Sequence, residues 1–186
     1  MRPVLLVVDM LEDFVRGELG DEKFERIVPP LQKLIKKARE NDVPVFYCND
    51  AHKEDDPEIE VWGPHAMKGS EGAEVIEELE PQGPEEIVEK NCYGCFEGTD
   101  LEKKLEKTYN GEGADTAIIM GLHTHLCDRH TAYGAFARGY NIIFVEDATD
   151  AFTKDQHEKG LKYAKENYNA EIKNTEQIIQ EITSQK

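Results

Sequence analysis

Short unbroken apolar runs punctuate this chain, and most of them end on a charged residue. Val4–Val8 is all Val and Leu and is closed by Asp9; Val43–Cys48 is closed by Asn49-Asp50, and Glu86–Val88 by Glu89-Lys90. Thr116–Met120 leads into the loop Gly121–Leu126, and Asn141–Val145 ends at Glu146-Asp147. Short runs without polar alternation suit parallel strands buried on both faces. Between them the spacing becomes helical. Ile27, Leu31, Leu34, Ile35 and Ala38 form the apolar stripe of a helix over about residues 24–41, with Pro29 and Pro30 near its start, where a first turn tolerates them. Further helices are predicted over Leu101–Tyr109, capped by Thr99 or Asp100, and from Cys127 to Gly139, with Ala132, Ala135 and Phe136 on one face. Another runs from Thr153 or Asp155 to Tyr168, and Thr175–Lys186 is helical by the spacing of Ile178, Ile179 and Ile182. Glu171–Asn174 reads as a sixth strand, and Glu74–Leu79 as at most a short helix. Met10–Gly20 and Ala51–Gly72 read as loops, the second long enough to expect a functional role.

Strand alternating with helix predicts an α/β fold: an open, mostly parallel six-stranded sheet with helices on both faces, built as a single domain over residues 1–186. In such sheets ligands bind beyond the carboxyl ends of the strands. Asp9, Asp50, Lys90, Cys127 and Asp147 all fall at those ends.

The charge narrows the partners. A net charge of −17 and a pI near 4.7 argue against binding nucleic acid or an anionic membrane, both of which call for a basic face. No apolar run approaches the ~20 residues of a membrane span. The N-terminal VLLVVDM is too short for a secretory signal and runs into an acid, so the expected location is cytoplasmic. In that compartment Cys48, Cys92, Cys95 and Cys127 are expected to be free, catalytic or metal-binding rather than paired.

Cys127 is the first candidate for chemistry. It stands where a helix begins, and a first helical turn offers unpaired N–H groups and partial positive charge to a thiolate. Asp9 could take its proton, Lys90 could keep Asp9 ionised, and backbone N–H groups of the loop before Cys127 could hold an oxyanion. Taken singly, each has a plainer reading: a small buried thiol, a strand-end cap and a surface charge. Three such groups at three strand ends favour a site.

Four segments resemble the isochorismatase-like cysteine hydrolases, the family that includes nicotinamidases. VVDMLEDF (Val7–Phe14) resembles the family's first-strand motif, and EKNCYGCFEGTDL (Glu89–Leu101) its lysine segment. GLHTHLCDRHTAYGAFARGY (Gly121–Tyr140) resembles the nucleophile segment, and VEDAT (Val145–Thr149) the strand that follows it. The resemblance implies a three-layer fold and a triad of Asp9, Lys90 and Cys127. It also implies a cis peptide before His123 and an oxyanion hole from the N–H groups of His123 and Cys127. The implied substrate is a small amide, hydrolysed through a thioester; nicotinamide is the leading expectation, and another small amide or isochorismate the alternative. It further implies a homo-oligomer, dimer or tetramer.

Asp50-Ala51-His52 and His65 match the family's metal segment. One carboxylate and two imidazoles can hold a divalent ion, expected to be Zn with Fe or Mn as alternatives, and leave positions open for a ligand. Phe14, Trp62 and Tyr93 match positions where the family places rings around its substrate. Glu54, Asp55 and Asp56 follow His52 closely and read either as further acids or as a wet loop. The chain also departs from the pattern. Leu11 replaces a common Gln, the His52–His65 interval is short, and His123 and His125 stand where small or acidic residues are usual. Rival readings are a dithiol redox protein built on Cys92 and Cys95, a non-catalytic interaction module, and a vinyl-ether hydrolase that needs no thiol.

Overall fold

In the computed structural model, described over residues 1–184, six strands form one sheet in the order β3-β2-β1-β4-β5-β6. They are β1 (Pro3–Val8), β2 (Val45–Asp50), β3 (Glu86–Lys90), β4 (Thr116–Leu122), β5 (Asn141–Asp150) and β6 (Glu171–Lys173), and every pairing is parallel. The α-helices are α1 (Glu12–Val15), α2 (Val28–Glu40), α3 (Pro57–Trp62), α4 (Leu101–Lys107), α5 (Cys127–Ala137), α6 (Lys154–Tyr168) and α7 (Thr175–Thr183). The sheet grows outward from β1 to β3 on one side and from β4 to β6 on the other. The order therefore reverses between β1 and β4, and a crevice opens at their carboxyl ends.

The apolar runs lack polar alternation because both faces of the sheet are covered. Leu5 and Val7 of β1, Ile118 and Met120 of β4, and Ile143 and Val145 of β5 join a core with α2 and α7. Their neighbours Val4, Leu6, Ala117, Ile119, Ile142 and Phe144 join a second core with α4, α5 and α6. This is the three-layer arrangement expected from the sequence.

Several boundaries differ, each for a local reason. The first helix divides into a 3₁₀ turn over Glu22–Ile27 and then α2, because Pro29 and Pro30 lack N–H groups and fit only in an opening α turn. The second strand starts at Val45, since the Val43 N–H is spent on the Ala38 carbonyl at 3.0 Å. The loop at 51–72 contains α3, opened by Asp56-Pro57 and stopped at Gly63, whose φ is 78°. β5 does not end at Val145: its register against β4 jumps between the pairs Ile119–Phe144 and Gly121–Thr149, and the strand then resumes to Asp150. Asp147 lies in that irregular stretch. It does not join the sheet-edge cluster; its Oδ1 accepts 2.8 Å bonds from the Thr175 N–H and hydroxyl at the start of α7. Phe136 does not share the buried face of Ala132 and Ala135; it is 48% exposed and packs on Tyr168. Gln185 and Lys186, at the end of the predicted tail helix, lie outside the described residues.

Gly121 is the tightest joint of the crevice. Its φ is 124°, and a Cβ there would stand 2.0 Å from the Val8 carbonyl oxygen. Replacing Gly121 by Ala is expected to cost about 3 kcal/mol or more, from strain plus overpacking. A urea unfolding midpoint within error of the parent would refute this account of the β1–β4 joint.

Candidate active site

Three strand ends converge on one buried ammonium. Lys90, the last residue of β3, is 3% exposed, and its Nζ donates to Asp9 Oδ2 at 2.7 Å and to Asp50 Oδ1 at 2.5 Å. Asp9 follows β1 with a positive φ of 49°, and its other oxygen accepts the Asp50 N–H at 2.7 Å. An oxygen of Asp9, an oxygen of Asp50 and the Cys127 sulfur lie within 4.8 Å of one another. The structure thus gathers Asp9, Lys90 and Cys127 with Asp50 at the crevice.

The electrostatics follow from burial. Burial pushes the Asp9 carboxyl up to about 6, helped by Asp50 and opposed by Lys90. At Asp50 burial also acts upward, but Lys90 and His52 outweigh it and hold the group below its ordinary value. Burial alone would lower Lys90; the two carboxylates override it and keep the ammonium charged. Burial raises the Cys127 thiol well above its ordinary value despite Lys90 nearby. The resting sulfur is therefore a thiol, and the helix start does not make it a standing thiolate. As a nucleophile it would call for a base; Asp9 and Asp50 both lie in reach, and Asp9, at about 6, is the stronger base of the two.

Cys127 opens α5, and the loop before it is tied down. The Leu122–His123 peptide is cis. The Thr124 N–H donates to the Asp150 carbonyl at 2.7 Å, and the Leu126 and Asp128 N–H groups to the His123 carbonyl at 2.9 and 3.3 Å. This loop carries the two N–H groups, of His123 and Cys127, expected to face an oxyanion.

A second cluster adjoins the first. One ligand atom from each of Asp50, His52, Glu58 and His65 lies within 4.8 Å of the others, and all four residues are buried. Asp50 Oδ2, His52 Nε2 and Glu58 Oε1 are buried without a hydrogen-bond partner, while His52 Nε2 stands 3.4 Å from Asp50 Oδ2. The outer ring atoms are held: His65 Nδ1 is 2.8 Å from the Gly63 carbonyl and His52 Nδ1 is 3.3 Å from Asp56 Oδ2. Asp56 is itself fixed by the Asn91 amide and the Lys53 N–H at 3.0 and 2.8 Å. Two imidazoles and two carboxylates with orphaned inner atoms and supported outer atoms fit a divalent cation. The charge balance agrees. Burial and then Asp50 push Glu58 up to about 7, as expected of a carboxyl short of a countercharge.

Glu58 was not legible as a site residue in the sequence. Its signal was the Asp56-Pro57 pair, which opens a helix and places the next residue in its first turn. Of the acids after His52, Asp56 became a support, whereas Glu54 and Asp55 stay at the surface.

A narrow, nearly filled pocket with about 10 Å³ of free space leads to the thiol, lined by Phe14, Leu19, Glu58, Trp62, His65, Tyr93, His123, Leu126, Cys127 and Phe152. It holds all three expected rings. Phe14 also belongs to the core, and the Trp62 Nε1–H donates to the Tyr93 hydroxyl at 3.0 Å. Phe152, absent from the sequence expectation, lies between them and the oxyanion loop: it stacks on His123 at 4.1 Å and on Trp62 at 5.7 Å. His123 is enclosed by these rings, and burial holds its pKa down at about 3, so it remains neutral. His125 touches Phe152 edge-on but is not among the pocket-lining residues.

All four cysteines are free. Cys95 turns into the core, where it receives the Thr131 hydroxyl at 2.8 Å and contacts Cys48, while Cys92 is partly exposed. Cys92 and Cys95 thus face different surroundings, which removes the basis for a dithiol pair.

A buried thiol, carboxylate and ammonium at the switch point of a parallel sheet define a cysteine hydrolase-like site. Residues 3–177 match the isochorismatase domain family, and the chain belongs to that family of hydrolases. It is similar to nicotinamidase 3 of Arabidopsis thaliana, 34% identical over 84% of this chain and 77% of that one. Its fold is similar to that of N-carbamoylsarcosine amidase from Thermoplasma acidophilum, with a TM-score of 0.86, 40% identity and coverage of 94% and 97%. The pyrazinamidase of Pyrococcus horikoshii, solved in complex with zinc, aligns with a TM-score of 0.84 at 27% identity, covering 94% of this chain and 99% of that chain.

Lys90 tests the electrostatic argument. Lys90→Met leaves two buried carboxylates without their cation and is expected to destabilise by about 3–5 kcal/mol. Without Lys90 the Asp9 carboxyl rises further above about 6, so the folded state holds protons that the unfolded state has released. Stability then falls as pH rises through that window. Urea midpoints should show a larger deficit at pH 8 than at pH 5, and an equal deficit at both would contradict the assignment.

Proposed function

We propose that the protein is a metal-assisted cysteine amidohydrolase acting on a small planar amide, with nicotinamide the leading substrate. The observation that carries this reading is the joint opening of the thiol, Glu58 and His65 into one ring-lined pocket. Asp50, His52, Glu58 and His65 would hold the divalent ion, which would supply a Lewis-acid anchor for a substrate donor atom such as a pyridine nitrogen.

This chain's residues then divide the work. Phe14, Trp62, Tyr93 and Phe152 clamp a flat ring by stacking and edge contacts. Asp9 takes the Cys127 proton as sulfur bonds to the amide carbon and the carbonyl oxygen becomes an oxyanion. The N–H groups of His123 and Cys127 stabilise that charge. Collapse breaks the C–N bond, and Asp9 returns the proton to the leaving nitrogen, which departs as ammonia. Water attacks the thioester carbon while Asp9 takes its proton. Collapse then breaks the C–S bond, releases the acid, and the thiolate recovers the proton from Asp9. Lys90 keeps Asp9 in place and offsets its charge throughout.

The likeness to N-carbamoylsarcosine amidase supports a second reading, a carbamoyl amide as substrate. The walls favour the first, because four aromatic rings suit a planar ring better than an aliphatic tail.

Ammonia release from nicotinamide, N-carbamoylsarcosine and a panel of small amides tests the proposal, together with metal analysis of the purified protein. Nicotinamide should be the best substrate. Chelation should slow its turnover, and His52→Ala should purify without the ion. Cys127→Ala should lower kcat by roughly 10⁴-fold or more. If that variant keeps its activity, the chemistry is not thiol-based; if no amide is hydrolysed, the substrate class is wrong.

Asp9 must be ionised to act as base. Its carboxyl sits at about 6, so kcat/KM for the best amide should rise through pH 6 and level off above it. A flat profile from pH 5 to pH 8 would remove Asp9 from the role of base.

A further inference from the structure

One buried acid takes no part in the chemistry above. Asp128 follows the nucleophile directly, is 0% exposed, and has one carboxyl oxygen, Oδ1, with no partner. Its other oxygen receives the Thr149 hydroxyl. Thr149 Oγ1 lies 2.9 Å from Thr124 Oγ1, and Thr124 Oγ1 lies 2.8 Å from His157 Nδ1. The four side chains come from α5, β5, the loop before α5, and α6. They form one file running from beside the nucleophile to a half-buried imidazole. Thr124 is the residue after His123. α6 is pressed against the same loop at Gly160, where a Cβ would meet the Thr124 carbonyl oxygen at 3.0 Å.

Proton counting constrains this file. It has three links and only two hydroxyl protons. When Asp128 is ionised it can only accept, so Thr149 donates to it and Thr124 donates to Thr149. The third link must then take its proton from His157 Nδ1. When Asp128 is protonated on the oxygen facing Thr149, every link reverses, and Thr124 donates to a bare His157 Nδ1 whose proton sits on Nε2. The carboxyl state and the imidazole tautomer are therefore linked across the file.

We propose that Asp128 and His157 are positioning residues for the oxyanion loop, coupled through Thr149 and Thr124, so that the loop bearing the His123 N–H is held in register by one directional hydrogen-bond file. The catalytic consequence rests on the proposed use of that N–H; the file itself does not. Burial, opposed by the Thr149 hydroxyl, pushes the Asp128 carboxyl up to about 7, which lets both directions occur near neutrality. The charged groups facing Asp128 are Asp9 after β1 and Lys90 of β3. Those facing His157 are Asp150 and Glu146 of β5, Arg26 of the 3₁₀ turn, and Glu158 of its own helix. Burial lowers the His157 pKa, so its ring is neutral where the file would reverse.

The test reads ring ¹⁵N shifts of His157 between pH 6 and pH 9 in the whole protein, with no substrate required. In the parent, the Nε2–H tautomer should give way to the Nδ1–H tautomer as pH rises. Asp128→Asn, nearly isosteric and non-titrating, should fix the tautomer across the range. Thr149→Val should cut the file and abolish the same response. On whichever amide is hydrolysed, Thr149→Val should lower kcat about tenfold with KM changed less than twofold, as for an oxyanion donor moved out of place. A parent tautomer that ignores pH, or an Asp128→Asn protein whose His157 titrates like the parent, would overturn the coupling. A tautomer response that survives Thr149→Val would likewise overturn the coupling, and a response lost in Thr149→Val with kcat unchanged would overturn the positioning role. Failure of every amide would instead count against the amidase reading, while the ring shifts still decide the file.

Discussion

The Lys90 ammonium, buried between Asp9 and Asp50, is the constraint on which the rest of the site depends. A lone charge at that depth would be prohibitive, and so would either carboxylate without the cation. Together they join the ends of β1, β2 and β3 through 2.7 and 2.5 Å contacts at a point the sheet already brings together. The pairing is asymmetric in its effect. Asp50 is held as an anion, suited to a cation beyond it, whereas Asp9 is left at about 6, suited to taking and returning a proton. One ammonium thereby sets two carboxylates to different tasks.

The metal cluster extends the same charge argument. Asp9, Asp50 and Glu58 present three buried carboxyl groups to one ammonium, and the shortfall falls on Glu58, since the hydrogen bonds of Lys90 go to the other two. A divalent ion among Asp50, His52, Glu58 and His65 would remedy it and give three orphaned atoms a partner. Asp50 then belongs to both clusters. The ring-lined pocket lies where they meet, so the proposed substrate, anchored on one side, would present its carbonyl to the thiol on the other.

Much of this was legible in the sequence, and the reason is geometric. A parallel strand buried on both faces shows itself as an unbroken apolar run, so the residue that ends each run marks the edge where the crevice opens. Asp9 and Asp50 close such runs, Lys90 closes the shorter edge strand β3, and Cys127 is marked instead by the helix that begins there. Asp147 was not separable from them, because β5 breaks register and resumes, and an acid in the break looks like an acid at an end. Glu58 and Phe152 were missed for another reason. Each belongs to a short element whose side-chain direction depends on tertiary packing: α3 for Glu58, and the turn after β5 for Phe152. No period of hydrophobicity reports such a direction. Asp128 was hidden inside the resemblance itself, since it stands next to Cys127 at the start of α5 yet reaches Thr149 of β5.

The proton inventory of the site has a consequence for where the rate is controlled. Burial raises the Cys127 thiol above its ordinary value while Asp9 sits at about 6, so in the proposed mechanism transfer between them before attack runs uphill. In that mechanism proton transfer would accompany C–S bond formation, with the developing negative charge delivered to the carbonyl oxygen rather than left on sulfur. On that proposal the stabilisation of the oxygen would govern the barrier more than the basicity of Asp9, because Asp9 would gain a proton only as the oxyanion gains its charge. This shifts weight from the triad to the loop between β4 and α5. It also accounts for the anchoring spent on so short a segment: backbone bonds from Thr124, Leu126 and Asp128, a helix pressed against it at Gly160, and a side-chain file that fixes Thr124 from two directions.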